Sequence, residues 1–125
     1  MSIPRKLVQQ VLTRDGGFCL LALPGCLGEA TVADHRANRG AGGSKVLNDP
    51  RALIAACGPC NGAKEDSTGQ LRLNLAERGL IVPKAATNQQ TLTRCAHTPV
   101  ERLDGVLVWL TGWGTAVEVG EDVTF

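Results

Sequence analysis

Four cysteines constrain this chain more than any other feature. Cys19 and Cys26 are separated by six residues, and Cys57 and Cys60 by two. The pairs are set thirty residues apart. A tetrahedral zinc ion takes four soft ligands, and a C-x2-C turn at a helix start aims two thiolates at one point. The first pair is wider than the common two-to-four spacing, and Pro24-Gly25 before Cys26 supplies a tight turn that closes it. A metal staple also suits the composition. Only Phe18, Trp109, Trp113 and Phe125 are aromatic, and a core poor in large rings buries less area per residue.

At 125 residues the chain has the size of one modest domain. No apolar run approaches the roughly 18–20 residues that span a bilayer, and Met-Ser-Ile-Pro-Arg-Lys is no apolar signal segment. The expectation is a cytoplasmic protein that makes no membrane contact. In that compartment cysteines serve metals or catalysis more than disulfides. Net charge is only +1, but it is unevenly spread. Residues 1–100 carry twelve Lys/Arg against seven Asp/Glu, whereas residues 101–125 carry one against five. The first part suits phosphates and the tail would avoid them.

The pattern predicts a helix over Pro4–Arg14, closed by Asp15-Gly16-Gly17. Short strands are expected at Ala30–Ala33, leading into Asp34-His35-Arg36, and at Leu53–Ala56, running into Cys57. Between them lie a glycine-rich loop, residues 38–44, and Asn48-Asp49-Pro50, which reads as a capped helix start. Pro59 opens a helix after Cys57, and Leu71–Arg78 forms another, closed by Gly79. Residues 83–99 read as polar and irregular. Residues 106–119 read as a β-hairpin around Gly112-Trp113-Gly114, with both tryptophans packing on it. The division expected is residues 1–82 as one domain with the zinc site, and 83–125 as an extension packed on it.

Four segments in order carry a resemblance. Arg14-Asp15-Gly16-Gly17-Phe18-Cys19, Asp34-His35-Arg36, Asn48-Asp49-Pro50-Arg51-Ala52-Leu53-Ile54 and Cys57-Gly58-Pro59-Cys60-Asn61-Gly62-Ala63-Lys64 together resemble an HNH endonuclease, most closely the small zinc-containing members common in bacteriophages. Thirteen residues separate His35 from Asn48 and Asn48 from Asn61. Position 61 is Asn where many members have His, so the triplet reads His-Asn-Asn.

The resemblance implies an α+β fold: a ββα-metal, treble-clef-like core with structural zinc on Cys19, Cys26, Cys57 and Cys60, flanking helices and a C-terminal β-hairpin. It implies hydrolysis of DNA, double-stranded above all, by nicking or double-strand cutting, leaving 5′-phosphate and 3′-hydroxyl ends. His35 would be the general base, since free imidazole titrates near neutrality. Asp34 and Asn61 would bind one divalent ion, Mg²⁺ or another such as Mn²⁺ or Ni²⁺. Asn48 would fix His35 by bonding backbone across the loop. Lys64, Arg36 and Arg39 would contact phosphates. Phage terminase subunits are partners the resemblance suggests, in a bacterial host cell.

Plainer readings compete. Asn48-Asp49-Pro50 is explained by capping alone, and Lys64-Glu65 by a solvated helix face. Arg36, Arg39 and Lys45 could simply keep a loop soluble. Cys95 reads as an incidental thiol, and His97 as unrelated to a site. Two other functions also fit parts of the chain: a zinc-stabilised nucleic-acid-binding module without chemistry, and a dithiol oxidoreductase built on Cys57-Gly58-Pro59-Cys60. The second leaves Cys19, Cys26 and His35 unexplained.

Overall fold

The computed structural model describes residues 2–38 and 45–120. Helix α1 (Arg5–Arg14) begins after Pro4, which caps it without a side-chain bond. It ends at Asp15, where Gly16 and Gly17 take positive φ. Its apolar face, Leu7, Val8, Val11 and Leu12, packs on Ala33, Leu53 and Ala55. A buried ion pair fixes the junction. Arg14 holds Asp15 at 2.8 Å and also donates to the Pro50 and Leu53 carbonyls, while Asp15 accepts the Ala55 N–H.

Strand β1 (Val32–His35) pairs antiparallel with β2 (Leu53–Ala56), His35 facing Leu53 and Asp34 facing Ile54. The first strand therefore begins two residues later than its sequence suggested and includes the Asp-His pair. A 3-10 turn, Pro50–Ala52, enters β2. Its cap is Asp49, whose carboxylate accepts the Arg51 N–H at 3.0 Å. Helix α2 (Gly58–Glu65) leaves directly from Cys57 with Pro59 in its first turn, and α3 (Gly69–Glu77) follows. Gly79 must be glycine: its φ is +75°, and a Cβ there would run into the Pro99 carbonyl.

Residues 83–99 are not irregular. Asn88–Ala96 form helix α4, capped by a reciprocal pair in which Thr87 Oγ1 accepts from Gln90 N and Gln90 Oε1 accepts from Thr87 N. Three short strands close the described chain: β3 (Val100–Glu101), β4 (Leu107–Leu110) and β5 (Ala116–Glu118), antiparallel in that order. The predicted hairpin is thus the outer part of a three-stranded meander. Trp113 does not pack on it; it stands on the turn, 78% exposed.

This C-terminal sheet shares one core with the cysteines. Val100, Val108 and Leu110 are buried with Cys19, Leu21, Leu23, Ile54, Cys57, Cys60, Leu75 and Leu80. A second cluster, Ala37, Leu47, Ala52, Val82, Leu92 and Cys95, seats α4 beneath the 3-10 turn. No helix among the described residues is long and apolar enough to cross a membrane.

Candidate metal centre and catalytic cavity

The C-x2-C pair sits at the end of β2 and in the first turn of α2, where Cys57 is the residue before the helix and Cys60 lies within it. The loop after Phe18 brings the other pair to the same point. It is held there by backbone bonds from Leu20 N to Ala55 O and from Cys26 N to Leu23 O, the latter closing the Pro24-Gly25 turn. Arg78, at the end of α3, clamps the loop by donating to the Leu20 and Leu21 carbonyls.

All four sulfurs lie within 4.8 Å of one another, and Cys26 and Cys57 are 3.9 Å apart. Tetrahedral Zn–S bonds of ~2.3 Å place sulfurs ~3.8 Å apart, so the set is near the size zinc requires. None of the cysteines is in a disulfide. Burial pushes the Cys19 and Cys60 thiols up. Cys57 also resists ionisation through desolvation, yet backbone N–H groups of Leu27 and Cys60 with the neighbouring thiols bring it down to about 6. Soft donors gathered in an apolar core, one already favouring thiolate, form a potential metal-binding site consistent with structural zinc.

A second candidate centre is a cavity. Asp34, His35, Asn61 and Lys64 all line one cavity of about 860 Å³. Neighbours on an ideal strand face opposite ways, but the chain bends at residues 36–37, directly after β1, and both Asp34 and His35 reach this cavity. A larger groove, about 980 Å³ between α1 and the C-terminal turn, contains none of the four.

His35 Nε2 lies 2.9 Å from Asn48 Oδ1. Asn48 therefore meets the imidazole itself, where backbone bonding was expected. Its amide nitrogen is turned to the Ser2 carbonyl, 3.4 Å away, which leaves the oxygen for the ring. Buried Leu47 and the capped 3-10 turn anchor this asparagine against α4. An amide oxygen only accepts, so Nε2 carries a hydrogen, and in the neutral ring Nδ1 is then the lone-pair nitrogen.

Two of the cations expected at phosphates are buried and bonded within the protein. Arg36 is 1% exposed. Its guanidinium donates to the carbonyls of Gly79, Arg51, Cys95 and Thr98 at 2.7–2.9 Å, tying the end of β1 to three other segments. Burial draws it down to about 10, so it stays charged at neutral pH. Lys64 is 5% exposed. Its ammonium binds Asp34 Oδ2 and the His35 carbonyl, each at 2.6 Å, instead of standing on a solvated helix face. Burial raises the Asp34 carboxyl, an effect the charge and hydrogen bond of Lys64 oppose and nearby Glu65 reinforces. Arg39 lies outside the described residues. Arg72 and Lys84, which no sequence spacing marked, line the cavity as exposed cations. Cys95 is buried in the α4 cluster, and His97 caps α4 by pairing with the Thr93 carbonyl.

Compared with known proteins, the chain matches no family model, no curated protein and no solved structure.

Proposed function

We propose that this chain is a metal-dependent HNH endonuclease that hydrolyses phosphodiester bonds of double-stranded DNA. The observation that carries the reading is the bond from Asn48 to His35, which lines one cavity with Asp34 and Asn61. An antiparallel pair, β1–β2, followed at once by α2 supports the ββα-metal core.

In this reading Asn48 holds the imidazole and fixes its tautomer, and Nδ1 accepts a proton from the attacking water. The water oxygen bonds to phosphorus as the bond to the 3′ oxygen breaks, and the leaving oxygen takes a proton from solvent, giving a 5′-phosphate and a 3′-hydroxyl. Asp34 and Asn61 supply a carboxylate and an amide oxygen, the donor types that hard dications prefer. An ion bound there would stabilise the charge that builds on the phosphate and leaving oxygens. Lys64 opposes the rise that burial imposes on the Asp34 carboxyl and ties it to the His35 backbone, so one side chain spans both residues of the pair.

The dithiol reading is weakened by burial. Cys57 and Cys60 have no exposure and share their pocket with two more sulfurs, whereas a redox pair presents one sulfur to its substrate. The described sheets are antiparallel, without the parallel frame of a thioredoxin-like protein. End chemistry tests the proposal. A nicked circle made by the protein with Mg²⁺ should be sealed by DNA ligase without prior phosphatase or kinase treatment. Nicks that ligase cannot seal would refute the proposed direction of cleavage.

A further inference from the structure

Two of the three expected phosphate contacts need a new assignment, since Arg36 and Lys64 are buried and already bonded. The cavity wall holds four cations, Arg36, Lys64, Arg72 and Lys84, against two carboxylates, Asp34 and Glu65. The wall is thus more positive than the chain, whose formal charge is +1. Arg36 has no carboxylate among its four partners, so its buried charge adds to the field at the cavity. Arg72 and Lys84 are the two cations on this wall whose side chains are exposed.

Both are set on braced backbone. Arg72, in the first turns of α3, donates to Ser67 Oγ at 3.3 Å, and Ser67 in turn bonds the Lys64 carbonyl at the end of α2. Lys84 follows Val82, whose N–H bonds the Arg36 carbonyl, and Arg94 from α4 donates to the Pro83 carbonyl. One cation therefore comes from the α2–α3 side, the other from the segment that joins α3 to α4.

We infer that Arg72 and Lys84 are the DNA-backbone contacts of this cavity, holding phosphates beside the one attacked. The inference rests on the nuclease reading for its ligand, and binding separates the two. Exposed phosphate contacts act as point charges that displace counterions, so each adds about 0.9 to the slope of log affinity against log salt.

The test uses the full, zinc-loaded chain carrying His35→Ala to prevent cutting, and a fluorescein-labelled duplex read by anisotropy between 50 and 200 mM KCl. Adding Arg72→Ala and Lys84→Ala should lower the salt slope by about 1.8, so that affinity varies about twelvefold less across that range. Lys6→Ala, on the groove beside α1, should leave slope and affinity unchanged. An unchanged slope in the double variant, or an equal loss with Lys6→Ala, overturns the assignment, and a parent that binds no duplex overturns it too. If the two cations set binding but the wild type never nicks DNA, the assignment stands and the nuclease reading falls.

Discussion

Replacing Arg36 with Met removes a buried cation while keeping most of the side-chain volume. Four carbonyls lose their donor, and the bonds to Gly79 and Cys95 are fully buried. An orphaned buried carbonyl costs about 1–3 kcal/mol, so the two together give about 2–6 kcal/mol. Those of Arg51 and Thr98 are partly accessible and regain water. Removing a buried charge offsets part of the loss, which leaves an expected destabilisation of about 3 kcal/mol. That is a large share of the roughly 5–15 kcal/mol of a typical domain. Urea unfolding followed by tryptophan fluorescence and circular dichroism measures it. With a slope of about 1–1.5 kcal/mol/M for a chain this size, the midpoint should fall by about 2–3 M. Arg36→Lys keeps the charge but lacks the planar fork, so it should lie between wild type and Met. A midpoint within about 0.5 M of wild type for Arg36→Met would refute the reasoning, because it is the behaviour of a surface arginine.

Elemental analysis should find about one zinc per chain, and Cys60→Ser should lose it together with a large part of the thermal transition; full stability without metal would count against the four-sulfur site. Asn48→Ala should lower kcat by about 10² or more with little change in melting temperature, because it frees the imidazole tautomer and leaves the hairpin core alone; unchanged kcat would remove Asn48 from the site. Burial opposes ionisation of Asp49, but hydrogen bonds from the Arg51 guanidinium and backbone outweigh it and hold the carboxyl below its ordinary value of 3.8. Its folded pKa is depressed, so its contribution is complete above that value and is lost as pH falls through the folded pKa. Wild type should therefore lose more melting temperature than Asp49→Asn on acidification from pH 5 to pH 3, and parallel losses would exclude the linkage.

Local signals made some of this legible in sequence. Pro4 and the Leu7–Leu12 spacing mark α1, and the Leu53–Ala56 run before Cys57 marks β2. Cys57-Gly58-Pro59-Cys60 marks the start of α2. The four cysteines converge as their spacing suggested, because the Pro24-Gly25 turn shortens the wider pair. Helix α4 was missed because its polar composition hides a narrow apolar face, Leu92, Cys95 and Ala96. The Thr87–Gln90 capping box was its available signal. Arg36 and Lys64 read as surface cations because nothing local reveals burial. The carbonyls that hold Arg36 come from positions 51, 79, 95 and 98, and the carboxylate that holds Lys64 is thirty residues away. Arg72 and Lys84 meet the cavity only through the packing of α3 and of the segment after it, which no spacing encodes. Trp113 faces solvent because it occupies the turn that hairpin periodicity cannot orient.

The central claim is that His35 is a general base for phosphodiester hydrolysis. Its most direct measurement is the rate at which supercoiled plasmid is relaxed or linearised by the zinc-loaded protein with Mg²⁺, Mn²⁺ or Ni²⁺, beside His35→Ala at equal folded concentration. The account predicts metal-dependent cleavage by the wild type and a loss of about 10²-fold or more in the variant. Equal cleavage by both proteins, or none by the wild type with any of the three metals, would contradict it.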